Sequence, residues 1–265
     1  MSTAQQTDAV LHEQRGAGLW LTLNRPSNLN GLSPEILDGL LTGITRAEQD
    51  PAIRAVVITH AGRAFCAGAD LAHIQALQER EGTALPFLEE VGVAFARIEA
   101  SPVPVIAAVA GIAAGGGLEL LLCCDIVLLA EGARAGDAHA TYGLLPGGGS
   151  SARLPRAIGR QRAKQLLFTG DLLPARELFA LGFGNEVLPD DALPARAQAL
   201  VESLAQKSPL ALARVKRLAD DGLEQTLAVA VRSELTAVAL HEHSFDQQEG
   251  AAAFHAKRRP AFEGR

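Results

Sequence analysis

Apolar and polar positions alternate from Leu19 to Asn24, a period of two that predicts a strand. Asn24-Arg-Pro-Ser-Asn28 then reads as a turn. Ser33-Pro34 marks a helix start with proline at its first position, and Ile36, Leu37, Leu40, Leu41 and Ile44 fall on one helical face. Val56 to Thr59 is a short apolar strand, followed by a loop of small residues from His60 to Asp70. Strands and helices keep alternating to about Leu188, which predicts an α/β fold with crossover connections. From Asp190 onward the pattern is helical, with helices expected over 191–207, 209–220 and 223–249. The last carries Leu227, Val231, Leu235, Val238 and Leu240. With no second core in view, another subunit is its expected cover, and the chain's own core is the alternative.

One segment breaks the rules of ordinary helices. Ile106 to Ala114 reads as a buried strand, and a helix then opens on Gly115, Gly116 and Gly117, with Glu119 in its first turn. Glycine in a helix costs roughly 1 kcal/mol relative to alanine, so a triple needs a reason. A helix start points free N–H groups and partial positive charge outward, and bare glycines let a ligand oxygen approach them. A carboxylate beside such a site is a candidate acid or base. The run is not a phosphate-binding P-loop: Gly117 and Leu118 stand where the lysine and the Ser/Thr would be. Tight helix–strand packing is the plain alternative.

Composition narrows the partners. The chain has 265 residues, 48% of them hydrophobic, enough for one substantial core. With 24 basic against 30 acidic residues the net charge is −6, and no broad basic stretch suggests nucleic acid. Lys257-Arg-Arg259 is a short local exception, either a solvated tail or a phosphate contact. Cys66, Cys123 and Cys124 have no regular spacing, which argues for a reducing compartment and against a metal cage. The first residues carry no signal-peptide pattern, and no apolar run reaches the length of a membrane span. A cytoplasmic protein is expected.

Two glycine-containing loops follow two strands, Cys66-Ala67-Gly68-Ala69-Asp70 and Gly115-Gly116-Gly117. Together with Asn24-Arg-Pro, Phe65 to Leu71, Ala110 to Leu120, Gly143 to Gly148 and the stretch Ala251 to Phe262, they resemble the crotonase superfamily, the enoyl-CoA hydratase/isomerase family, over nearly the whole chain. The resemblance implies a spiral of ββα units in residues 1–200 and a helical C-terminal region in 201–265. It implies a homotrimer or a hexamer of two trimers, acyl-CoA thioesters as substrates, and no metal or redox cofactor beyond the substrate's own CoA. It places the N–H groups of Ala69 and Gly116 on the thioester oxygen. Arg25, Ala67, Gly68, Asp70, Leu71 and Gly115 line the CoA and substrate site, with Lys257 as a phosphate contact. Glu119 matches the first glutamate of the family's hydratases.

The second glutamate of those hydratases falls on His139 in this chain. A glutamate–histidine pair can still divide acid and base roles near neutral pH. Hydration of a trans-2-enoyl-CoA through an enolate is therefore expected. Isomerisation, decarboxylation or carbon–carbon hydrolysis through the same enolate is the alternative, as is an impaired CoA-binding paralogue. Hydrolases of the family pair a histidine at this place with an aspartate nine residues on, where this chain has Gly148. Asp137, two residues before His139, could orient the imidazole, but in an expected extended segment the two would point the same way without touching. His241 and His243 read as surface residues.

Overall fold

The computed structural model describes residues 8–265. An antiparallel hairpin opens the chain, β1 (Val10–Arg15) and β2 (Gly18–Leu23), and leads to α1 (Pro34–Gln49). Three units then repeat one path, in which a strand in a large sheet is followed by a strand in a small sheet and then by helix. The first is β3 (Ala55–His60), β4 (Ala64–Cys66), α2 (Leu71–Glu81) and α3 (Leu85–Glu99). The second is β5 (Val105–Val109), β6 (Ile112–Ala114) and α4 (Gly116–Leu121). The third is β7 (Ile126–Ala130), β8 (Arg134–Gly136), α5 (Ser150–Ile158) and α6 (Arg160–Thr169). After β9 (Leu173–Pro174), α7 (Ala175–Ala180) and β10 (Glu186–Leu188), the chain continues as α8 (Leu193–Ala205), α9 (Pro209–Gly222), α10 (Leu227–His241) and α11 (Phe245–His255). The large sheet has the order β1-β2-β3-β5-β7-β10, parallel from β2 onward, and the small one the order β4-β6-β8-β9. This is the α/β spiral of ββα units that the resemblance implies.

Alternation along the strands builds two cores. Leu19, Leu21, Leu23, Val56, Ile58, Val105, Ala107 and Leu129 face the small sheet and α1, α3 and α4. Trp20, Val57, Ile106, Ala108 and Leu128 face the other way, onto Leu193, Ala197 and Val201 of α8. A strand buried on both faces is expected of a parallel sheet covered on both sides. Residue 200 therefore lies inside a helix that closes the core.

Three expectations need correction. The strand expected over 106–114 is two strands in different sheets. The break falls at Gly111, where a Cβ would overlap the carbonyl of Arg63, so the backbones touch and the chain changes layer there. The long helix expected over 223–249 is also two. Ser244 ends the first and caps the second, accepting from the Gln247 N–H at 3.2 Å and donating to His241 O at 2.6 Å. Ser244-x-x-Gln247 is a capping-box pattern that the periodicity masked. His241 is half-buried rather than superficial, with Nδ1 2.7 Å from Arg214 Nη1. His243 is exposed, as expected.

The C-terminal helices keep much of their apolar surface open: Leu227, Leu235 and Leu240 on α10 are each at least 65% exposed. Among the described residues no helix is long and apolar enough to cross a membrane. A Cβ on Gly117 would overlap the carbonyl oxygen of Cys66, backbone against backbone, where no side chain can yield. Gly117→Ala is expected to cost about 3 kcal/mol or more and to lower the melting temperature by roughly 10 °C, read by circular dichroism. An unchanged melt would show that this seam tolerates separation.

Candidate functional site

The site forms where the loop after β4 meets the start of α4. The Leu32 N–H donates to Gly68 O at 2.8 Å, and the Leu32 carbonyl accepts from the Asp70 N–H at 2.9 Å. This parallel bridge uses the groups on either side of Ala69, so the Ala69 N–H faces away from Leu32. Gly116 opens α4, and the first turn of a helix has no internal acceptor for its N–H groups. Neither the Ala69 nor the Gly116 N–H has an acceptor among the described residues. The loops touch: a Cβ on Gly68 would lie 3.6 Å from Gly116 N, and one on Gly116 only 2.6 Å from a Leu32 methyl. Two open donors at one junction suit a single oxygen that gains negative charge. Gly115 makes the corner between β6 and α4 at φ 51°, ψ −118°, a conformation that needs glycine.

Glu119 stands in the first turn of that helix and is 2% exposed. Its Oε1 accepts from Gly148 N–H at 2.8 Å and Ser150 N–H at 3.0 Å, at the N-terminus of α5. Its Oε2 accepts no hydrogen bond among the described residues. Burial pushes the Glu119 carboxyl above the ordinary 4.5, against the pull of those N–H groups and of His139. Arg153 secures the supporting loop by donating to Gly148 O at 2.9 Å while pairing with Glu99 at 2.7 Å. Gly148 is required here, because a Cβ would sit 2.7 Å from Glu119 Oε2 and 2.8 Å from Phe95.

His139 approaches from the opposite side of Gly115, whose Cβ would lie 3.4 Å from its Cε1 and 3.5 Å from its Nε2. The expectation that Asp137 and His139 do not touch is overturned: Nδ1 lies 3.1 Å from Asp137 Oδ2. The segment is not extended, since Ala138 turns left-handed at φ 57° and a 3-10 turn follows over His139–Tyr142. Nδ1 is buried and meets Oδ2 off the ideal hydrogen-bond axis, so the contact combines a bent hydrogen bond with the attraction of charge. Burial disfavours the imidazolium, but the Asp137 contact and the charges of Asp137 and Glu119 outweigh it and raise the His139 pKa above 6.5. Asp137 is 1% exposed, and although burial opposes ionisation, His139 and Ser150 hold its carboxyl below the ordinary 3.8.

The remaining expected residues divide. Arg25 Nη2 pairs with Asp70 Oδ2 at 3.0 Å, and Asp70 Oδ1 caps α2 through the Ala72 and His73 N–H groups. The two thus brace the loop against each other. The brace continues through buried Asn30, whose side chain holds Arg25 N–H, Ala61 O and Ala64 O at 2.7–3.0 Å. Sequence reasoning missed Asn30 and Ser150; the latter's only signal was its place after a glycine run at a helix start. Ala67 and Leu71 are exposed at the loop rim. Lys257 is exposed in the turn after α11, which makes no hydrogen bond or ion pair to the site among the described residues of one chain. Burial pushes the Cys66 and Cys123 thiols up to about 12, so both are inert packing groups.

A buried carboxylate with a raised pKa opposes folding as pH rises from 4.5 through its native value, because the native state then binds more protons than the unfolded chain. Glu119→Gln keeps the acceptor and removes the charge. It is expected to melt a few degrees above the natural chain at pH 8, with the gap closing toward pH 4. A constant gap across that range would contradict the burial effect.

Residues 14–265 match the family model for enoyl-CoA hydratase/isomerase. The crotonyl-CoA hydratase of Syntrophomonas wolfei is 37% identical over 243 residues, which cover 91% of this chain and 93% of that protein. The crystal structure of an enoyl-CoA hydratase from Bacillus anthracis superposes with a TM-score of 0.92 at 34% identity, covering 97% of this chain and all (100%) of that one. An enoyl-CoA hydratase from Polaromonas sp. JS666 gives 0.91 at 36% identity over 96% and 99% of the two chains.

Proposed function

We propose, for a chain that belongs to the enoyl-CoA hydratase/isomerase family, that it hydrates a trans-2-enoyl-CoA to the 3-hydroxyacyl-CoA. The observation that carries this reading is Glu119, with one carboxylate oxygen tied by two backbone N–H groups and the other open. The open Oε2 takes a proton from water as the water oxygen bonds to the β-carbon. Electron density moves through the double bond onto the thioester oxygen, which the Ala69 and Gly116 N–H groups receive. Each such donor is worth ~3 kcal/mol of barrier when it meets developing charge. His139 then delivers the proton that the α-carbon gains. The substrate carries CoA, and the chemistry asks for no further cofactor. Gly115, buried Gly68 and the rim residues Ala67 and Leu71 border the acyl-CoA site, with Arg25 and Asp70 shaping that rim. Lys257 meets CoA phosphates, in this reading those of a neighbouring subunit. The reading is of a cytoplasmic enzyme, consistent with three unpaired cysteines.

Glu119→Gln is expected to lower kcat for crotonyl-CoA by about 100-fold or more, the usual loss for a general base. His139→Ala costs less, and His139→Glu retains hydration. Full activity in Glu119→Gln with loss in His139→Ala would reverse the assignment. If the natural chain turns over no enoyl-CoA of any length, the other enolate reactions take precedence. The kcat/KM profile, which reports the unliganded enzyme, should be a bell. Its acid limb lies above pH 4.5, where Glu119 must lose its proton, and its alkaline limb above 6.5, where His139 must keep one.

Assembly is a further part of this reading. The exposed leucines of α10 fit a trimer, or a hexamer of two trimers, in which each copy covers part of the next. Light scattering should give one of these masses at micromolar concentration, and a monomer would refute it.

A further inference from the structure

The reading above uses Glu119 and His139 but leaves two buried polar residues beside them without a part. Asp137 is 1% exposed and Ser150 is fully buried. A buried carboxylate is costly unless each oxygen finds a partner. Asp137 has both: the Ser150 hydroxyl donates to Oδ1, and Oδ2 faces the imidazole. Ser150 does a second thing. Its backbone N–H holds Glu119 Oε1 at 3.0 Å. One residue, the first of α5, therefore touches the carboxylates on both sides of the glycine corner.

The imidazole is constrained at both nitrogens. Nδ1 is buried 3.1 Å from Asp137 Oδ2, while Nε2 lies beside Gly115. The left-handed Ala138 is what folds His139 back over Asp137. We propose that Asp137 and Ser150 are positioning residues, which fix His139 with Nδ1 toward Asp137 and Nε2 toward the substrate and tie its position to that of Glu119. An aspartate–histidine pair thereby does the work that a second carboxyl group does when two glutamates face one substrate. This rests on the hydratase reading for its catalytic consequence, though not for the pairing itself.

The charges facing His139 are those of Asp137, across the 3-10 turn, and Glu119, from α4. Asp137 also raises Glu119. Removing the Asp137 charge lowers both pKa values, so both limbs of the kcat/KM profile move to lower pH. A residue that only supported the fold would lower kcat without moving the limbs.

The test is nitrogen-15 NMR of histidine-labelled protein, with the ring of His139 among the seven histidines identified by its loss in His139→Gln. Above the pKa of His139, the natural chain should carry the ring proton on Nδ1, the reverse of the preference of free histidine. Asp137→Asn should titrate His139 at lower pH, lower kcat for crotonyl-CoA by roughly tenfold or more with KM little changed, and shift both limbs downward. Ser150→Ala keeps the backbone bond to Glu119 and should mix the two tautomers. A proton on Nε2 in the natural chain, or an unmoved His139 titration in Asp137→Asn, overturns the proposal. If Asp137→Asn does not fold, the tautomer of the natural chain decides alone. An Nδ1–H ring in a chain that hydrates no enoyl-CoA supports the pairing and overturns the hydratase reading instead.

Discussion

The close approach of backbone to backbone at the seams of the small sheet is the constraint on which the rest depends. Gly117 lies against the Cys66 carbonyl, Gly111 against that of Arg63, and Gly136 against that of Asp171, each with no room for a Cβ. At the first two points successive ββα units stack, and at the third β8 meets the link to β9, so these distances set the spiral. The first of them also brings the end of β4 to the start of α4, and with it the N–H groups of Ala69 and Gly116. A methyl group there would open the packing and the site together. Glycine is costly at a helix start in isolation, and here that cost is offset by the contacts it permits.

On this frame the site concentrates charge where water is scarce. Glu119 and Asp137 are both nearly inaccessible, yet their environments push their pKa values in opposite directions. Glu119 has backbone N–H groups on one oxygen only, and burial dominates. Asp137 has a hydroxyl and an imidazole, and they outweigh burial. Two carboxyl groups driven apart in this way, with a histidine raised above 6.5 against one of them, are a pattern that acid–base sites use to separate roles. The arrangement opposes folding stability at Glu119 and is rigid, because the N-terminus of α5 and the Arg153–Glu99 pair hold its supporting loop.

Much of this was legible in the residues. The two-residue period at Leu19–Asn24, the proline start at Pro34 and the three glycines before Glu119 each identify an element by local physics. What periodicity lost were the changes of direction. Ala107 and Ala113 belong to the same apolar run, yet they sit in different sheets, because Gly111 turns the chain between them. Small residues carry no moment that could reveal this. Similarly, α10 and α11 share one helical pattern, and only the cap at Ser244 divides them.

The sequence by itself determined the α/β class, the glycine loops, and Glu119 as a carboxylate placed by a helix, since these follow from residue type and local spacing. The tertiary structure alone decided how far-apart segments meet. It brought Ser150 to Glu119 across 31 positions and, through the turn at Ala138, folded His139 onto Asp137. It turned Arg25 and Asp70 toward each other, 45 residues apart in the numbering. Such pairings depend on turns and long-range contacts that no local preference of the chain specifies, because their energy comes from contacts made only after the layers have packed.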